Sequence, residues 1–157
     1  PMKGPAKLLA IPILVFSAGV CPAQVADLSG VWKLNVEQSR WGSRPKVISC
    51  LVTIEHREPA VRYYGTVVDA SQELRHFDFS GTVDGKEHPA NTAFGEGTAR
   101  LTRVDSRTIR AELKSNDGRA TQLITTSLSR DGKTLTRRLR LAGPNGSASW
   151  TEVYHRN

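Results

Sequence analysis

The chain has 157 residues, a formal net charge of +7, 38% hydrophobic and 24% charged residues. That length suits one domain, and that balance excludes a collagen, a disordered tail and a multi-pass membrane protein. Two cysteines, Cys21 and Cys50, are too few for a disulfide scaffold or a zinc module.

The chain opens on a basic stretch with Lys3 and Lys7, runs through an uncharged, mostly apolar segment from Leu8 to Val20, and reaches the turn-prone Cys21-Pro22-Ala23-Gln24. This order is that of a secretory signal peptide. The apolar run is short of the about 20 residues that a spanning helix needs, and Pro12 interrupts it. Residues 1–26 are therefore expected to be a signal peptide, cut after Ala23 or Ala26, and residues 27–157 a single exported domain. Its expected place is periplasmic or extracellular, as a monomer with no integral membrane span. Lys3 and Lys7 leave with the signal and no acid does, so the remainder keeps a net charge of +5. Its basic residues are dispersed. The densest stretch, Arg137-Arg138-Leu139-Arg140, alternates faces on a strand and reads as a solvated surface, not a nucleic-acid groove.

Beyond residue 30 the recurring unit is a short β-rich run followed by a turn signal. The predicted runs are 30–35, 47–56, 61–69, 74–81, 86–90, 98–104, 108–115, 119–129, 134–141 and 147–155. Ten such runs at this spacing mark an all-β barrel or sandwich. Residues 36–41 form the one candidate helical turn, with Asn35 as its cap and Glu37 in its first turn. Residues 94–98 (Phe-Gly-Glu-Gly-Thr) read as a connector and lack the lysine of a phosphate loop. Asp84-Gly85, Asp117-Gly118 and Asp131-Gly132 each suit a two-residue type I′ turn, in which both residues need φ > 0.

Two of these turns fix a register. Counting outward from Asp117-Gly118 pairs Leu113 with Gln122, Ala111 with Ile124 and Ile109 with Thr126. Counting from Asp131-Gly132 pairs Leu128 with Leu135, Thr126 with Arg137, Ile124 with Leu139 and Gln122 with Leu141. Both place Gln122, Ile124, Thr126 and Leu128 on one face, and a slip of one residue would break the agreement. That face carries Arg137 among aliphatics. Burying an unpaired charge is expensive, so Arg137 either lies at a wet rim or lines a cavity holding water or a ligand.

The opening Leu28-Ser29-Gly30-Val31-Trp32-Lys33-Leu34-Asn35 holds a Gly-x-Trp triplet on the first predicted strand. With the segments 83–89, 103–108 and 129–136, it resembles the lipocalin and fatty-acid-binding-protein superfamily. More narrowly, it is similar to small exported lipocalin-like proteins of environmental bacteria. The resemblance spans residues 28–155 and implies an antiparallel up-and-down barrel of eight to ten strands. The N-terminal turn would close one end, and the width would hold one small ligand. It also gives Gly30 and Trp32 structural roles at the closed end, with Arg156 as the basic residue against Trp32.

Cys50 reads as a small buried hydrophobe on one strand face with Ile48 and Val52. His56, His76, His88 and His155 show no metal-ligand spacing, and no metal or cofactor is expected. His76 and Asp78 share a face and are the one local acid–base pair, but no serine or cysteine stands beside them. The function expected is non-covalent binding of a small hydrophobic or anionic amphipathic ligand, not catalysis. Arg137 and Gln122 would be polar anchors beside Thr126, Ile124 and Leu139. Arg103 joins them if a three-residue loop follows Val104. The alternatives are a filled barrel acting through its surface on an envelope or protein partner, and a small hydrolase or isomerase.

Overall fold

A computed structural model describes residues 24–157. The predicted signal segment lies, up to Ala23, outside the described residues. Ten strands follow: β1 (Gly30–Leu34), β2 (Ser49–Arg57), β3 (Ala60–Val68), β4 (Leu74–Thr82), β5 (Glu87–Thr92), β6 (Gly95–Asp105), β7 (Thr108–Ser115), β8 (Thr121–Leu128), β9 (Thr134–Gly143) and β10 (Gly146–Arg156). They form one antiparallel sheet in the order β4-β3-β2-β1-β10-β9-β8-β7-β6-β5. The two outer strands curl towards each other into a nearly closed barrel. Val83 bridges Leu101 in parallel, and Gly85 N–H donates to the Leu101 carbonyl at 2.9 Å.

Every predicted run becomes a strand, and the counted register is the observed one. Ile109 faces Thr126, Ala111 faces Ile124, Thr126 faces Arg137 and Ile124 faces Leu139. The turns that set it are not type I′. Gln72 is the sole non-glycine residue with positive φ among those described, so Asp117 and Asp131 stay on the ordinary side. Their carboxylates do the work instead. Asp117 Oδ1 accepts the N–H of Arg119 at 3.0 Å and the Ser115 hydroxyl at 2.6 Å, and Gly118 N–H donates to Ser115 O. Asp131 repeats this with Lys133 and Ser129. Each loop is longer than predicted by one residue on each side, so the register is unchanged. Asp84-Gly85 joins no hairpin at all, because β4 and β5 do not pair. The predicted connector at residues 94–98 is largely β6. Gly97 allows this: a Cβ there would sit 1.9 Å from the Lys114 carbonyl oxygen.

The two ends of the barrel differ. At one end the N-terminal segment acts as a plug. Leu28 and Trp32 are wholly buried, and Trp32 Nε1–H donates to the Leu28 carbonyl at 3.0 Å. The Arg156 guanidinium lies 4.3 Å over the Trp32 ring and donates to Ser29 O at 2.7 Å. Gly30, at φ +140°, makes room for it: a Cβ there would meet Arg156 Nη1 at 2.4 Å. Around this plug Val52, Ile54, Val61, Leu101 and Leu135 are all at most 2% exposed.

At the other end β1 is too short to cover β10. Residues 35–48 take over its edge. Asn35 N–H donates to Val153 O, and Arg40 and Thr151 exchange two backbone bonds of 2.8 Å. The predicted helical turn is a single turn capped by Asn35, whose Oδ1 accepts Gln38 N–H at 3.0 Å; no helix occurs among the described residues. Cys50 is buried as expected, but Ile48 precedes the strand at the rim and is half-exposed.

Trp32→Ala removes the largest side chain of the plug and leaves a cavity where repacking is constrained. It is expected to cost about 3–5 kcal/mol in urea unfolding. A loss under about 1 kcal/mol would show that the plug does not hold the closed end.

Candidate ligand site inside the barrel

Side-chain alternation sends one polar set inward near the middle of β8, β9 and β10. Arg137 stands between Thr126 on one neighbour and Glu152 on the other. Arg137 Nη1 lies 3.5 Å from Glu152 Oε2. Glu152 is fixed by two further donors: Trp150 Nε1–H to Oε1 at 2.9 Å and the Tyr154 hydroxyl to Oε2 at 2.8 Å. The Tyr154 hydroxyl also approaches the Cys50 thiol at 3.7 Å. Tyr63, beside Thr126, turns its ring towards Arg137 at 5.9 Å.

The side chains of Arg137 and Glu152 are enclosed by the barrel, yet keep 17% and 14% of their surface accessible. Neither side chain is sealed off completely. Toward the open end, Phe77, Ala111, Ile124, Leu141 and Ala148 are likewise only partly buried while packing on the core. Arg137 Nε is buried and has no hydrogen-bond partner among the described residues. An orphaned donor of this kind is costly unless something fills its place.

The cluster is built of donors held in their protonated forms. Burial works against the Arg137 charge, but the Glu152 carboxylate beside it offsets this and keeps the guanidinium cationic. Burial pushes the Tyr154 hydroxyl well up, and Glu152 adds to it. Burial likewise raises Tyr63 and the Cys50 thiol. None of these is poised as a nucleophile. The arrangement can orient and hold a polar head among apolar walls.

The structure brings Arg137, Thr126, Gln122, Ile124 and Leu139 to one inner face. Arg103 also faces inward, opposite Ile109, but a bulge between Arg103 and Asp105 shortens the following loop to Ser106-Arg107 in place of three residues. Its guanidinium is bound by Glu58, with Nε 3.2 Å from Oε1 and a second contact from Nη2 to Oε2. His56 completes that group: its Nε2 meets Glu58 Oε2 at 2.9 Å, and its Nδ1 accepts the Leu28 N–H. Arg103 thus braces the closed end. Gly30 and Trp32 lie in the plug.

His76 and Asp78 point outward, where Arg62 grips Asp78 through two bonds of 2.9 and 2.5 Å and lowers its pKa. No three metal-binding side chains converge among the described residues.

Glu152 is the residue that sequence reasoning missed. Its signal was present. A two-residue loop at Pro144-Asn145 pairs Gly143 with Gly146, and counting outward sets Glu152 opposite Arg137. The outer face carries a separate groove of about 380 Å³ where Arg40, Arg138 and Arg140 meet Thr125, Ser149 and Thr151.

No family model matches the chain, and no curated protein matches it. Solved structures do. A Schistosoma mansoni fatty acid binding protein in complex with arachidonic acid aligns at a TM-score of 0.57 and 12% identity, over 83% of this chain and 96% of that one. The zebrafish ileal bile acid-binding protein complexed with cholic acid aligns at 0.52 and 14%, over 82% and 98%. The barrel is of the fatty-acid-binding-protein type. At these identities the likeness establishes fold.

Removing one partner of an enclosed ion pair strands the other. Arg137→Met is expected to cost about 3–5 kcal/mol in denaturant unfolding, and Arg137→Met with Glu152→Gln to recover more than half. A double variant as unstable as the single one would mean that the pair is not coupled. Arg103 and then His56 lower the Glu58 pKa below its ordinary 4.5, against burial. Its stabilisation is therefore complete above pH 4.5 and lost as pH falls through the depressed value. In Arg103→Met the acid-side loss is expected to shrink, and an unchanged pH profile would contradict the linkage.

Proposed function

We propose that the chain is a carrier that holds a small hydrophobic or amphipathic molecule non-covalently inside the barrel. The observation that carries this reading is Arg137: a cation with an unpartnered Nε donor, enclosed among partly buried apolar side chains. A filled core gains nothing from such a group. A ligand oxygen would satisfy it while the tail expels water from the apolar walls. That two neighbours of this fold are a fatty acid binding protein in complex with arachidonic acid and a bile acid-binding protein complexed with cholic acid supports a small-molecule ligand here.

The test is titration of the chain with N-phenyl-1-naphthylamine, an uncharged fluorophore that brightens in apolar surroundings. Saturable binding near micromolar Kd is expected. Ala111→Trp and Ile124→Trp, which fill the inner face, should each weaken it at least about tenfold. Binding that ignores both substitutions would place the probe outside the barrel and overturn the reading.

Export belongs to the proposal as well. Ala26 packs on the core and donates its N–H to Ser106 O at 2.7 Å. Cleavage after Ala23 keeps that contact, whereas cleavage after Ala26 discards it. N-terminal sequencing of the secreted form is expected to begin at Gln24.

A second reading rests on the outer face. Arg110, Arg138 and Arg40 alternate with Thr125 and Thr151 across β7, β8, β9 and β10, and none of the three arginines pairs with a carboxylate among the described residues. A barrel acting through its surface on an acidic partner would use this row. Charge reversal at Arg138 would then abolish partner binding and leave the fluorophore unaffected.

A further inference from the structure

We infer that the interior site selects ligands with an uncharged polar head, such as an alcohol, ester or amide, over ionised carboxylates. The inference rests on the carrier reading above and follows from the charges facing inward. Arg137 is the one cation of the central cluster, and Glu152 already neutralises it.

Glu152 cannot readily give way. It is held on Oε1 by Trp150 and on Oε2 by Tyr154 as well as by Arg137, on strands locked by a continuous ladder. The other inward-facing charges are also committed. Arg103 is bound to Glu58, and His88 to Asp84 at 2.8 Å. Arg75 lies exposed at the rim, bound to Asp69 at 2.6 Å. An ionised carboxylate entering the cluster would bring a net negative charge beside Glu152, with no free inward-facing cation among the described residues to meet it.

A neutral oxygen meets no such opposition. The cluster's unmet need is one acceptor for Arg137 Nε–H. A hydroxyl, ester carbonyl or amide carbonyl supplies it without disturbing the ion pair. Gln122 lies on the same inner face, one inward position beyond Ile124, and brings both a donor and an acceptor.

The head-outward orientation is the competing arrangement. Arg44, from the loop at the open end, stacks 4.2 Å over Trp150 and stands exposed. A carboxylate resting there would not sense Glu152.

The experiment compares dodecanamide, dodecan-1-ol and dodecanoate at pH 8 on the full chain, by displacement of N-phenyl-1-naphthylamine, in wild type and Glu152→Gln. The amide and alcohol are expected to bind both variants within about twofold. Dodecanoate is expected to bind wild type at least about tenfold more weakly than the amide, and to gain about tenfold in Glu152→Gln. Equal dodecanoate affinity in the two variants, lost on Arg44→Ala, would show head-outward binding and overturn the inference while leaving the carrier reading intact. If no C12 compound displaces the fluorophore from either variant, both fail. Should Glu152→Gln not fold, wild type decides alone through dodecanoate at pH 8 against methyl dodecanoate. An ester binding no more tightly than the ion would overturn the assignment.

Discussion

The structure depends on one continuous antiparallel register running from β6 through β10. Side chains along a strand alternate faces with a period of two, so a slip of one residue would exchange inside for outside. The observed pairing places Arg137 between Thr126 and Glu152 and leaves Arg138 and Arg140 in solvent. With the opposite parity two arginines would enter the barrel and Leu139 would leave it. The cost of burying those charges without partners makes the register nearly obligatory.

That ladder yields two halves with different physics. Toward the N-terminal plug the interior is a fully buried apolar core centred on Trp32, whose indole N–H is satisfied by Leu28 and whose ring is covered by Arg156. Toward the other end β1 stops at Leu34, and a loop of irregular structure occupies the vacated edge of β10. Loops pack less densely than strands, and the inward-facing residues there stay partly accessible. The closed half supplies stability. The open half carries the less completely buried side chains, with the Arg137–Glu152 pair among its polar contacts.

Much of this was legible in the sequence, for identifiable reasons. Strand positions follow from β-rich runs separated by Gly- and Asp-bearing turns, and all ten were found. The β7–β8–β9 register followed from Asp117-Gly118 and Asp131-Gly132 although the turn type was wrong, since an added residue on each side preserves parity. The start of β6 was not legible, because Gly95 and Gly97 read locally as a breaker while the approach of the Lys114 carbonyl is what demands a glycine. The inner face of the candidate site is legible too: two turn counts put Arg137, Gln122, Thr126, Ile124 and Leu139 on it. Glu152, which pairs with Arg137, comes from the following strand and needs a third count. Nothing local to Arg103 reveals Glu58, which meets it from 45 residues away.

If Arg137 Nε–H is the donor that meets the ligand's head, the arginine side-chain ¹H–¹⁵N spectrum of the full chain reports it during titration with dodecanamide, with the Arg137 signal assigned by its loss in Arg137→Lys. The expected result is a saturable downfield shift of the Arg137 Nε–H proton, as an unpaired donor gains an acceptor. An unmoved Arg137 signal, with shifts confined to Arg40, Arg138 and Arg140 on the outer face, would contradict it.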